Sequence, residues 1–158
     1  MAGKDKPEGM RKGLTRYGDD AFALFLRKSF IKGAGYGDDA LDRLVIGIAD
    51  TSSDFNPCHG NSQELISQVR AGVLAAGGLP MAFPTISLHE SFAHPTSMYL
   101  RNLMAMDTEE MLKSLPVDAV VLVGGCDKTV PAQVMGALSA NIPFVQLVTG
   151  PMSTGSFR

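Results

Sequence analysis

Apolar positions along the chain alternate between short continuous runs and stretches of helical spacing. Residues 44–50 (Leu-Val-Ile-Gly-Ile-Ala-Asp) form an unbroken apolar run, as expected of a strand buried on both faces. Residues 117–123 give the clearest strand, and 143–149 the last one. Residues 79–88 also read as a strand, but Pro80 and Pro84 confine it to an edge or an irregular course. Between these runs the spacing changes. Asp19 or Asp20 caps a helix reaching about Lys32, with Phe22, Phe25, Leu26 and Phe30 on one face and Gly33, Gly35 and Gly37 beyond its end. Asn61 with Glu64 has the spacing of a capping box, followed by a stripe of Leu65, Val69, Val73 and Ala76 that stops at Gly77-Gly78. Residues 95–106 read as one helix, and Asp107 with Glu110 as the cap of another ending near Leu115. Residues 131–140 read as a helix with Pro131 in its first turn, where a missing amide does no harm.

Strands alternating with helices predict an α/β fold: a mostly parallel sheet with helices on both faces. Strand order is not readable. The first 19 residues are polar and glycine-rich and read as an arm; residues 20–158 read as an incomplete α/β domain, because nothing covers the last strand.

Composition narrows the function classes. The net charge is −2, and the N-terminal lysines and arginines are interleaved with Asp5 and Glu8, so no basic patch suggests nucleic acid. No apolar run approaches a membrane span, and the first twenty residues lack a secretory core. A cytoplasmic chain is the expectation. In that compartment Cys58 and Cys126 read as buried thiols or metal ligands in preference to a disulfide.

The densest chemistry lies at Gly124-Gly125-Cys126-Asp127-Lys128-Thr129, where a strand hands over to a helix. The spacing fails the phosphate-loop pattern, and Asp127 would repel phosphate. Cys58 also follows a strand. In a parallel sheet both loops open on the same edge, so 68 positions of separation can vanish in space. Glu90 follows another strand. Glu90 and Asp127 suit a hard cation such as Mg²⁺, or else a solvated loop acid and a local Asp127–Lys128 ion pair at a helix start. His59, His89 and His94 read as hydrogen-bonded loop residues.

Five stretches together resemble the family of dehydratases that includes dihydroxy-acid dehydratase and the sugar-acid (aldonate and phosphogluconate) dehydratases. They are residues 47–59 (ending Asn-Pro-Cys-His), 75–80, 87–91 (Ser-Leu-His-Glu-Ser), 95–103 with its Pro-Thr and Arg-Asn-Leu, and 123–132 (Val-Gly-Gly-Cys-Asp-Lys-Thr-Val-Pro-Ala). Residues 95–107 look more like the arabinonate and xylonate branch than the branched-chain amino-acid branch. The resemblance implies an iron–sulfur cluster, 2Fe-2S in preference to 4Fe-4S, held by three cysteines with one iron open; Cys58 and Cys126 match two of them. It also implies Mg²⁺ held by Glu90, Asp127 and a carbamylated Lys128. A carbamate turns a cation into an anionic oxygen ligand, which Mg²⁺ accepts. The implied reaction converts a 2,3-dihydroxy sugar acid into a 2-keto-3-deoxy acid, in a dimer or tetramer.

The family's third cysteine, a further glutamate and the serine thought to act as base lie downstream of the matched region and have no counterpart here. No catalytic base is therefore expected in this chain, and it is expected to be inactive alone. The alternatives are a dihydroxy-acid dehydratase of branched-chain amino-acid synthesis and a non-catalytic fragment binding a metal or a partner. A nucleotide-binding module is a weaker third.

Overall fold

The computed structural model describes residues 8–152 and 154–156. Four strands, β1 (Val45–Asp50), β2 (Leu79–Pro84), β3 (Ala119–Val123) and β4 (Phe144–Leu147), form one parallel sheet in the order β2-β1-β3-β4. The α/β expectation is met. The prolines of β2 explain its edge position. Leu79 and Thr85 donate their amides to Leu44 and Asp50 of the β1 segment, so odd-numbered positions point inward. Pro80 and Pro84 fall on the outward positions, where no amide is needed. Pro84 ends the strand, four residues short of the sequence expectation.

The helices are α1 (Asp20–Gly33), α2 (Ser62–Ala75), α3 (Ser97–Ser114) and α4 (Thr129–Ala140). Ile48 and Val123 pack with Ile66 and Val69 of α2 on one face of the sheet. Val45, Ala49, Phe83, Val120 and Leu122 pack with Leu112 of α3 and Ala137 of α4 on the other. Right-handed crossovers require this division. The path from β1 to β2 runs one way, and the later crossovers run the other. Crossovers therefore part between β1 and β3, which opens a crevice at the carboxyl ends of those strands.

Three local expectations change. The helices read at 95–106 and 107–115 are one continuous α3, because the Asp107 carboxylate accepts the Ile86 amide at 2.8 Å and caps nothing. The Asn61 capping box does not form; its Oδ1 accepts from the Gly150 amide at 3.4 Å. The phenylalanine face of α1 points outward: Phe25 is 59% exposed, and the helix buries Ala23 and Ile31 instead.

Residues 1–7 of the expected arm lie outside the described residues. Of the remainder, the stretch 9–13 lies against the body. Met10 is buried, Asp118 accepts the Gly9 amide at 2.9 Å, and Arg27 of α1 donates to the carbonyls of Met10, Lys12 and Gly13. Among the described residues no helix is long and apolar enough to cross a membrane.

Candidate functional site

The loops after β1, β2 and β3 meet at the crevice, and each is held by contacts its sequence makes possible. Thr51, the first residue past β1, donates its hydroxyl to Val123 O at 2.8 Å and ties the ends of the two central strands. A short turn, Pro57–His59, then carries Cys58. The Thr149 hydroxyl, beyond β4, donates to Cys58 O at 2.8 Å. After β3 the chain passes Gly124 and Gly125 before Cys126. At Gly125 a Cβ would sit 2.3 Å from Thr149 O, so glycine alone permits the two loops to close on each other.

Both cysteines are free, and they are neighbours: burial raises the Cys126 thiol pKa, and the adjacent Cys58 raises it further. Cys126 is 8% exposed and Cys58 half-buried. Both effects disfavour the thiolate, so a soft metal at this pair would have to displace the thiol protons, its own charge offsetting the cost.

The loop after β2 is fastened by Asp107 to Ile86 and by Asn56 Nδ2, which donates to Leu88 O at 2.8 Å. Leu88 is buried with Met104, Ala105 and Ala132. Two residues on, Glu90 reaches the start of α4. Lys128 Nζ donates to Glu90 Oε2 at 2.8 Å and to Asp127 Oδ2 at 2.7 Å. The Lys128 side chain is 13% exposed, between the Glu90 and Asp127 side chains that are 62% and 67% exposed. Asp127, and then Glu90, raise the Lys128 pKa, and Lys128 in turn lowers that of Asp127. The sulfur pair and the oxygen pair adjoin, since Cys126 Sγ lies 3.7 Å from Asp127 Oδ1.

All five residues singled out in the sequence, Cys58, Glu90, Asp127, Lys128 and Cys126, thus converge. As they stand, Glu90, Asp127 and Lys128 form an ion triad. Among the described residues no three histidine, cysteine, aspartate or glutamate side chains form a group able to hold a metal. The oxygen site would fit Mg²⁺ only with the Lys128 charge reversed, as a carbamate reverses it.

Sequence reasoning missed the part that Thr51, Asn56 and Thr149 play in organising these loops; His59 is the hydrogen-bonded loop residue expected, but its partners, Thr51 and the Cys126 amide, were not foreseen. The His59 ring is buried, and that burial lowers its pKa, opposed by the Thr51 carbonyl. His89 stays local, accepting from the Ser91 amide at 3.3 Å. A cleft of about 360 Å³, lined by Ser53, Phe55, Ser87, Leu88, His89 and Phe92, opens beside the loop of Glu90. The nucleotide reading fails on the backbone. The Gly124 amide donates to Leu147 O and the Cys126 amide to His59, which takes both from any phosphate cradle.

An open parallel sheet with polar side chains gathered at the β1/β3 switch point defines an α/β protein whose candidate site lies at that edge. The chain belongs to the dihydroxy-acid/6-phosphogluconate dehydratase family, whose N-terminal region matches residues 43–158. It is 42% identical over 158 residues to L-arabinonate dehydratase of Rhizobium leguminosarum bv. trifolii, covering 98% of this chain and 27% of that protein. It is 41% identical over 136 residues to D-xylonate dehydratase of Caulobacter vibrioides, covering 86% and 23%. Dihydroxy-acid dehydratase of Clostridium botulinum is 36% identical over 137 residues, covering 84% and 25%. The chain spans about a quarter of the length of these curated relatives.

Proposed function

We propose that the protein is the N-terminal part of a dehydratase that removes water from a 2,3-dihydroxy sugar acid to give a 2-keto-3-deoxy acid. The observation that carries this reading is the adjoining of a thiol pair and an oxygen pair, 3.7 Å apart at Cys126 and Asp127, at the switch point of a sheet from this family. Cys58 and Cys126 would hold a 2Fe-2S cluster together with a third cysteine from outside this chain, which contains only two. Glu90, Asp127 and a carbamylated Lys128 would hold Mg²⁺. When bound, the two groups would supply Lewis acidity to the leaving hydroxyl and charge stabilisation to the carboxylate and the enolate-like carbon.

The chain's own residues prepare that chemistry. Lys128 keeps the two carboxylates from repelling each other while the site is assembled. Phe55 and Phe92, edge-to-face at 5.8 Å, wall the neighbouring cleft, and Ser53 and Ser87 offer hydroxyls to a polyol. A cleft of this size suits a small acid. The higher identity to the arabinonate and xylonate enzymes than to the dihydroxy-acid enzyme favours a sugar acid over a branched-chain acid. Two adjacent free thiols suit the reducing cytoplasm, where we place the protein. The 158-residue chain supplies part of each metal site and no base, so it is inactive alone.

The test is anaerobic purification of the longer parent protein. It should be brown, with cluster absorbance, and should dehydrate L-arabinonate or D-xylonate faster than a branched 2,3-dihydroxy acid. A colourless protein that cannot be reconstituted would leave a non-catalytic role. In the parent, Cys126→Ser should lose colour and turnover together. Lys128→Ala should keep the colour and lose turnover by about 100-fold or more; full turnover in that variant would refute the carbamate assignment.

A further inference from the structure

His59 touches all three loops of the site, yet nothing in the proposed chemistry uses it. Its ring is 3% exposed. Nδ1 lies 2.8 Å from Thr51 O, 3.1 Å from Thr51 Oγ1 and 3.3 Å from Ser87 Oγ. A carbonyl only accepts, so Nδ1 carries the proton. The Thr51 hydroxyl has given its own hydrogen to Val123 O at 2.8 Å and can likewise only accept from the ring. With Nδ1 protonated in a neutral ring, Nε2 is left with a lone pair. The Cys126 amide donates to it at 3.3 Å. Asn56 Nδ2 gives one hydrogen to Leu88 O, and its second hydrogen, 3.5 Å from Nε2 at the nitrogen, is a donor that a bare Nε2 can also accept.

We propose that His59 is the positioning residue of the thiol pair: a buried ring, fixed as its Nδ1–H tautomer by Thr51, that tethers the Cys126 backbone to the turn carrying Cys58. The link joins residues 67 apart in sequence. His59 is the next residue after Cys58, so the ring spans from one thiol's turn to the other thiol's amide. Thr149 supplies the second brace by holding Cys58 O. Without the ring, the Gly124-Gly125 segment would leave Cys126 free to turn its sulfur away from Cys58. The tether rests on the dehydratase reading only for what the two sulfurs are for; the geometry itself needs no iron.

Two measurements on the full chain test it. The first uses histidine labelled with ¹⁵N. Near pH 7.5 the His59 resonances should report a protonated Nδ1 and a bare Nε2, and a proton on Nε2 overturns the proposal. The second uses phenylarsine oxide, which binds two neighbouring thiols; both sulfur protons leave with the arsenical oxygen as water. The wild type should bind one arsenical per chain through both sulfurs. In His59→Gln the side-chain oxygen reaches the Nε2 position and can still accept the Cys126 amide, so affinity should stay within about threefold. In His59→Asn the side chain reaches only the Nδ1 position, and affinity should fall about tenfold or more, because the second thiol is no longer held at high effective concentration.

Equal affinity in wild type and His59→Asn overturns the tether, as does an equal loss in both variants. Should either variant fail to fold by circular dichroism, the wild-type tautomer decides. A parent protein that takes up no iron while its arsenical binding is intact would refute the dehydratase reading and leave the tether standing.

Discussion

At Gly125 one methyl group decides whether the loops after β3 and β4 can meet. A Cβ there would lie 2.1 Å from Thr149 Oγ1 and 2.3 Å from Thr149 O, and backbone cannot yield as a flexible side chain does. Gly125→Ala should therefore destabilise the fold by about 3 kcal/mol, the upper range for overpacking, measured as a shift in the urea midpoint. An unchanged midpoint would mean that the two loops do not pack this way. The same scale shows what a sequence can and cannot disclose. Cys58 and Cys126 were legible as neighbours because strand ends in a parallel sheet share one edge, whereas Glu90, Asp127 and Lys128 stood out from a loop acid and a local ion pair only through the resemblance to the dehydratases. The partners of His59 were not legible. A loop histidine has no periodicity, and its role comes from a carbonyl and an amide that any residue could supply.

Among the elements, α1 and α3 show how one pattern can serve two purposes. The aromatic stripe of α1 has core-like spacing, but Arg27 and the buried Ala23 and Ile31 face the body, leaving Phe25 in solvent. Phe25→Ser should change stability by less than about 0.5 kcal/mol in a denaturant titration; a loss of several times that would place the stripe against something. In α3, Asp107 and Glu110 have the spacing of a helix start. The Asp107 carboxylate instead accepts the Ile86 amide from the preceding loop, and the helix runs through. Local sequence records the spacing but not a partner 21 residues away. Asp107→Ala would leave that amide unpaired at a cost of about 1–3 kcal/mol. Its first symptom should be faster hydrogen exchange at Ile86, with α3 itself still helical.

For the molecule as a whole, the alternation of strands and helices gave away the α/β class and the parallel sheet. The order β2-β1-β3-β4 was hidden, because it depends on which way each crossover turns. That order sets which parts of the sheet open first. Among the described residues β1 and β3 are hydrogen-bonded on both sides, whereas β2 and β4 each have one partner strand. Native-state hydrogen exchange should find the β1 and β3 amides slowest and those of β2 and β4 faster. Equal protection across all four strands would contradict the arrangement. Cys58 and Cys126 follow the two interior strands, but Glu90 follows the flanking one. On gentle warming, then, the acidic arm should drift away from Lys128 while the sulfurs remain side by side, so the two halves of the pocket would fail in sequence.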